Sequence, residues 1–204
     1  MRSLRTLIFT EKGIIIRLSR LVFERNLINM NSFKKMFDAD MHRYGPNGAR
    51  GYCRRFSYYL RKTESCNNKI LQMYYRLRFR LICDKHGLEI SSQTSIGKGL
   101  YIGHPYNITI NPKAILGDNI NIHKGVTIGQ ENRGARKGVP TIGNQVWIGI
   151  NSTIVGNITI GEDVLIAPNT LVNCDVPSHS IVIGNPCKII HRDNATEHYV
   201  NNLS

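Results

Sequence analysis

The sequence predicts a mainly β fold: a parallel β-solenoid of six-residue turns, preceded by a basic α-helical region. Two observations predict it. From about Ile90 onward an aliphatic residue, mostly followed by glycine, recurs at steps of six or twelve positions. Net charge, in contrast, is confined to the other part. Residues 1–88 hold 19 Lys and Arg against 6 Asp and Glu, whereas the remaining 116 residues hold 8 of each sign. The whole net charge of +13 therefore lies before the repeat.

The N-terminal part reads as helical. In ILQMYYRLRFRLI, Leu71, Tyr74, Tyr75, Leu77 and Leu81 fall near helical spacing and predict an amphipathic stripe. YGPNGARG, from Tyr44 to Gly51, reads as a loop. About three helices are expected, packed on the first coils and covering an end that would otherwise present unpaired strand edges. Arg17 and Arg20 interrupt GIIIRLSRLVF, so no apolar run reaches the roughly 18 residues of a membrane span. No small-residue cleavage site follows it either, and a cytoplasmic location is expected. The five cysteines are scattered without a CxxC pair, which argues for reduced thiols over a disulfide scaffold or zinc knuckle.

The repeat itself runs through Ile96, Ile102, Leu116, Ile122, Ile128, Ile142, Ile148, Ile154, Ile160, Ile166 and Val172, with two longer steps of fourteen, Ile102 to Leu116 and Ile128 to Ile142. A second aliphatic set sits two residues earlier: Leu100, Ile120, Val126, Val146, Ile158 and Val164. A period of six fits neither the 3.6 of a helix nor plain alternation, and a β-sandwich would show no fixed phase. It is the pattern of stacked hexapeptide coils, each aliphatic pointing to the axis. Glycine at the following corner is expected to supply backbone angles that a Cβ penalises. The expected division is a basic helical region over 1–86, the repeat domain over 87–190 and a polar, frayed tail over 191–204.

YIGHPYNITI interrupts the rhythm with His104 and Pro105. Together with GLEI, IGKGLYIGHP, ITINPKAILGDNINIHKGVTIG and the closing IVIGNPCKII, it makes the stretch from about Gly87 to Ile190 resemble the left-handed β-helix acyltransferases, and among them the serine acetyltransferase-like branch. The resemblance implies acetyl transfer from acetyl-CoA to a hydroxyl, on a homotrimer with active sites between subunits and with no metal. By position His104 matches the catalytic histidine, and Glu89 matches the carboxylate that orients it, an aspartate in typical members. The chemistry suits a histidine: an alcohol is a poor nucleophile at neutral pH, and an imidazole titrates near working pH, so it can take the proton. A carboxylate would hold its tautomer and stabilise the imidazolium. No G-x-S-x-G elbow is present, and no covalent enzyme intermediate is required. The resemblance maps acetyl-CoA contacts to Gly129, Ile150 and Pro168, with Lys188 meeting a phosphate. His123 is a candidate for lining the acceptor pocket, with a solvated surface histidine as the plain alternative.

The chain also departs from the serine-specific pattern. Gly103 stands where that pattern has an aspartate facing the substrate ammonium, and the loop QENRGARKGVP lacks the expected histidine. Arg133, Arg136 and Lys137 remain as candidates for binding a carboxylate. Unpaired charges are costly, so the leading expectation is a sugar acceptor on a bacterial surface polysaccharide, with serine O-acetylation of cysteine biosynthesis as the alternative. The basic region is read first as a solvated face, then as a contact with an anionic membrane surface; no motif points to nucleic acid. Two rival functions are a non-catalytic scaffold and a γ-type carbonic anhydrase. The latter needs three zinc-binding histidines, and the solenoid offers His104, His123 and the distant His179. Sequons at Asn107, Asn151, Asn157 and Asn194 are expected to be incidental to Asn-rich corners.

Overall fold

The computed structural model describes residues 30–49 and 51–204. The GIIIRLSRLVF segment lies outside the described residues. Among those that are described, no helix is long and apolar enough to cross a membrane.

Fifteen short strands form the solenoid, β1 (Glu89–Ile90) through β15 (Lys188–His191). From β1 to β10 each strand pairs in parallel with the strand three further on, and β12 pairs in parallel with β14, which winds the chain around three flat faces. The first face is β1-β4-β7-β10-β13, the second β2-β5-β8-β11, and the third β3-β6-β9-β12-β14. On the third face β15 turns back antiparallel on β14 and ends the parallel stacking. The left-handed hexapeptide solenoid expected from the sequence is the fold observed.

Its interior is the repeat. Ile96, Ile102, Leu116, Ile122, Ile128, Ile142, Ile148, Ile154, Ile160, Ile166 and Val172 are all buried, and so is the set two residues earlier. Ile110 also points inward at β4 (Thr109–Ile110), so the first long step divides into eight and six: two extra residues are inserted at the corner carrying His104. The second insertion forms the loop between β7 (Thr127–Gly129) and β8 (Thr141–Ile142), pinned by a bridge between Glu131 and Gly138.

The corner glycines have a different cause from the one expected. Gly117 and Gly143 do not have positive φ; a Cβ on either would meet the backbone of the next coil within 2.8 Å. Close approach, not backbone angle, selects them. The left-handed corners are taken instead by Asn107, Asn119, Asn151, Asp163 and Asn169, at φ between 53 and 58°.

Among the described residues, three helices cap the N-terminal end: α1 (30–42), α2 (Gly51–Ser65) and α3 (Lys69–Lys85). Asn68 starts α3 by accepting from the backbone N–H groups of Ile70 and Leu71. Phe56, Leu60, Phe79 and Cys83 join Leu88 and Ile90 in one hydrophobic cluster with the solenoid axis. Arg61 is the polar fastener. Its fully buried guanidinium pairs with Asp40 at 2.9 Å and donates to the carbonyls of Ile96 and Gly97. Asp40 in turn accepts from Leu100 N–H, closing the open edge of the first coils.

Two expectations are corrected. The stripe Leu71, Tyr74, Leu77 and Leu81 faces solvent, and Tyr75 is only half-buried; the buried face of α3 is Phe79 and Cys83. The spacing was helical, but a stripe does not say which of two apolar faces packs. The tail is not frayed. Ala195, Thr196 and Val200 are buried, and the chain returns along the third face as a strap. Asp163 accepts from Ala195 and Thr196, Asn121 donates to the carbonyl of Tyr199, and Arg43 donates to that of Asn201. Backbone and side-chain hydrogen bonds replace the apolar contacts the tail lacks.

Candidate active site

β3 (Tyr101–Gly103) delivers His104 to a corner between the third and first faces. The inserted residues turn there through His104 at φ 57°, a left-handed conformation uncommon for histidine, closed by Tyr106 N–H donating to the His104 carbonyl. The same corner continues up the solenoid. Gly125 N–H donates to Tyr106 O, Asn151 N–H to Lys124 O, and Asn169 N–H to Ile150 O. His104, Ile150 and Pro168 therefore lie along a single edge, and Lys188, in register with Ile183 of β14 (Ser180–Ile183), sits at its far end.

His104 opens on a cavity of about 250 Å³ that Tyr44, Cys53, Tyr101, Gly103 and His123 also line. His123, at the end of β6 (Asn121–His123), is in register with Gly103. A Cβ at position 103 would stand 2.6 Å from the His123 ring, so the glycine is what allows that imidazole its place. Burial first, and the nearby His104 second, push the His123 pKa down to about 4, so its ring is neutral at physiological pH. Its Nε2 is buried without a hydrogen-bond partner.

Other predicted site residues are not brought to this corner within one chain. No hydrogen bond or ion pair joins Glu89 to His104; the Thr109 hydroxyl donates to Glu89 instead, at 3.4 Å. Glu89 lines a separate cavity of about 610 Å³ with Arg76, Arg80, Asn111 and Gly129. Glu89 stands at the start of the first face, one coil below Thr109, with which it is in register. Gly129 and Arg133 lie at the opposite end of the first face, Gly129 in register with Val155 and Arg133 on the pinned loop, where its N–H donates to Glu131. His179 pairs with Asp163 at 2.9 Å near the end of the solenoid, and among the described residues no group of three or more His, Cys, Asp or Glu gathers as a metal would require.

The sequence did not reveal the aromatic neighbours. A second cavity of about 250 Å³ adjoins the first and is lined by Arg43, Tyr44, Tyr101, His123, Trp147 and Tyr199. Their rings form a ladder, with centroids 4.7 Å apart for Tyr44–Tyr101, 6.4 Å for Tyr101–His123, 4.9 Å for His123–Trp147 and 5.1 Å for Trp147–Tyr199. Tyr101 and Trp147 each precede an inward aliphatic, and both are in register with Asn121, a signal the repeat carried. Tyr44 and Tyr199 carried none, since they arrive from helix α1's end and from the strap.

Comparison with known proteins agrees with this architecture. Residues 140–174 match the bacterial transferase hexapeptide family of six repeats. A serine acetyltransferase of Helicobacter pylori is 36% identical over 107 residues, covering 52% of this chain and 63% of that protein. One from Synechococcus elongatus is 39% identical over 106 residues, covering 52% of this chain and 43% of its own. The chain thus spans less than two thirds of the curated relatives it matches. Among solved structures, Neisseria gonorrhoeae serine acetyltransferase in complex with serine aligns with a TM-score of 0.61 at 28% identity, over 84% of this chain and 75% of that one. By repeat, sequence and coil geometry together, this chain has a left-handed β-helix of hexapeptide repeats, and its solenoid is similar to that of the serine acetyltransferases.

Proposed function

We propose that this protein is an acetyl-CoA-dependent O-acetyltransferase in which His104 is the general base. The observation that carries the reading is the shared corner: His104 opens on a cavity holding a second, neutral imidazole, while Ile150, Pro168 and Lys188 continue the same edge. Acetyl-CoA would lie along that edge with its thioester beside His104. The His104 imidazole takes the proton of the acceptor hydroxyl as its oxygen attacks the thioester carbonyl. The new C–O bond forms, the C–S bond breaks, and the imidazolium returns its proton to the departing thiolate. His123, neutral and unpartnered at Nε2, orients the acceptor oxygen. Glu89, which lines the neighbouring cavity, is given no step in this mechanism.

Relatives named serine acetyltransferases favour L-serine as the acceptor, and nothing in the comparisons favours a polysaccharide. One feature of the site supports a second reading, a neutral alcohol. Among the described residues no Asp or Glu lines either chamber, and the one guanidinium there, Arg43, donates to the neutral oxygens of Gly99, Asn121 and Asn201. A zwitterion would then need a partner for its ammonium from a neighbouring subunit, which fits the homotrimer the resemblance implies. In that assembly Arg133 is a candidate to reach a neighbour's site. The functional unit in this reading is the solenoid of 87–190 with the strap that follows it, and the exposed arginine-rich face of α3 is a candidate contact for an anionic membrane surface.

The test is release of free thiol from acetyl-CoA with L-serine as acceptor. Replacing His104 with alanine is expected to lower the rate about 10²–10⁴-fold while leaving the circular dichroism spectrum unchanged. An active His104→Ala protein would sink the general-base assignment.

A further inference from the structure

Two thiols that lie 13 positions apart in the sequence face each other in the fold. The Sγ atoms of Cys174 and Cys187 are 3.9 Å apart, with Cys174 exposed and Cys187 half-buried against the core. The other thiols are turned elsewhere: Cys53 Sγ donates to the Ile102 carbonyl, Cys66 Sγ to that of Asn68, and Cys83 lies on the buried face of α3. The backbone around the pair is held on both sides. Just before Cys174, β13 (Leu171–Val172) pairs with β10 (Thr153–Val155). Just after it, Asp175 accepts from Thr159 N–H, and Val176 N–H donates to the Thr159 carbonyl. Cys187 closes the turn from β14 to β15, where Lys188 is in register with Ile183 and Gly184 N–H donates to Thr170 Oγ1. The framework therefore sets the approach of the two sulfurs. Closing 3.9 Å to the roughly 2.0 Å of a disulfide is on the scale of a side-chain rotation, not of a backbone rearrangement.

The segment that Cys187 leads into has little other support. All four residues of β15 are exposed, so side-chain burial contributes little and the strand rests chiefly on its antiparallel ladder with β14. A strand held by water-accessible hydrogen bonds opens at low cost. A covalent bond between Cys174 and Cys187 would close a short loop and fasten this turn to the coil that ends in β13. Access to the two sulfurs is unequal. A small oxidant in solution reaches Cys174 first, while Cys187 is partly shielded from solvent yet adjacent to Cys174. That is the arrangement of an attacking thiol and a resolving one.

We propose that Cys174 and Cys187 are a reversible dithiol–disulfide site, a clasp that fastens the β14–β15 turn when a low-molecular-weight disulfide such as glutathione disulfide oxidises it. The Cys174 thiolate attacks one sulfur of glutathione disulfide, the S–S bond breaks, and a glutathione thiolate leaves. Cys187 gives up its proton and attacks the Cys174 sulfur of the mixed disulfide, expelling the second glutathione thiolate. The two glutathione thiolates take up the two protons that the protein thiols lose, and glutathione disulfide gains the two electrons. Excess thiol reverses each step. The site stands apart from the O-acetyl-transfer reading, since neither sulfur is given a role in it.

Trypsin leaves both cysteines in one peptide, residues 138–188. The full chain is incubated with glutathione disulfide, denatured, blocked with iodoacetamide and digested. That peptide is then expected to be unalkylated and lighter than its dithiol form by two hydrogens. After dithiothreitol it should carry two carbamidomethyl groups. Cys187→Ser should instead retain glutathione on Cys174, because the resolving thiol is gone. Burial first, then Cys187 and Asp175, hold the Cys174 thiol above its ordinary 9, with Arg136 acting in the opposite sense. The thiolate fraction, and with it the rate of oxidation, should therefore rise as the pH climbs from neutral towards 9. Amide hydrogen exchange over 183–191 should slow on oxidation of the natural protein and stay unchanged in Cys174→Ser. Two alkylated cysteines after oxidation overturn the proposal, as does glutathione retained on Cys174 of the natural protein or a disulfide to a second copy in place of the internal one. Hydrogen exchange over 183–191 that is equal in the two redox states overturns the clasp as well.

Discussion

A methyl group at position 103 has no room: its carbon would stand 2.6 Å from two atoms of the His123 ring. That ring is bounded by Tyr101 and Trp147 and cannot step aside without breaking the ladder. Gly103→Ala is therefore expected to cost about 1–3 kcal/mol in urea denaturation, the usual penalty of overpacking, and to reduce transfer activity by displacing His123. An aspartate, the residue the serine-specific pattern has there, would be worse. The departure at position 103 and the histidine at 123 are thus one feature, since each needs the other. Residue types at the corner were legible in the sequence, because His104 broke a strict repeat. Their pairing was not: positions 103 and 123 become neighbours only through the coil register.

At the scale of elements, two fasteners hold parts that the hydrophobic pattern alone would not join. Arg61 ties α1 and α2 to the first coils with its side chain wholly buried. Arg61→Leu would leave Asp40 buried without its partner and is expected to lower unfolding free energy by about 3–5 kcal/mol, measured by denaturant titration. The second fastener holds the strap and depends on pH. Burial by itself opposes ionisation of Asp163, but hydrogen bonds from Thr196, His179 and Ala195 outweigh it and hold the carboxyl below its ordinary 3.8. Its contribution is complete above that value and is lost as the pH falls through the lowered one. The bond to Asp163 holds the His179 imidazole above its ordinary 6.5, so its contribution is complete below 6.5 and is lost as the pH rises through the raised value. The melting-temperature difference between the natural protein and His179→Ala should therefore be full between 3.8 and 6.5 and shrink at higher pH. A difference that grew on the alkaline side would contradict this account of the anchor. The helices were legible as helices, yet the facing of α3 was not, because Phe79 and Cys83 offered fewer apolar positions than the stripe that stayed outside.

For the whole molecule, the charge asymmetry becomes a spatial one. All of the excess positive charge belongs to the part that precedes the solenoid. Within it, α3 exposes Leu71, Leu77 and Leu81 beside Arg76, Arg78 and Arg80. Apolar and cationic groups exposed on one helix suit an anionic lipid surface, where each basic residue contributes about 1 kcal/mol. Sedimentation with phosphatidylserine-containing vesicles is expected at low ionic strength and should fall as salt shortens the screening length. Leu77→Glu together with Leu81→Glu should abolish it. Equal sedimentation of that double variant would show that the face takes no part.

The sequence by itself determined the solenoid, its phase, the two insertions and the exceptional corner at His104. A six-residue period is a local signal, repeated until it can have one geometric meaning. The tertiary structure alone decided which groups share a cavity, because register stacks residues about twenty positions apart while neighbours in sequence turn to different faces. It set Glu89 in register with Thr109 and His123 against Gly103, and carried Tyr44 and the polar tail to the same chamber through hydrogen bonds that leave no periodic trace.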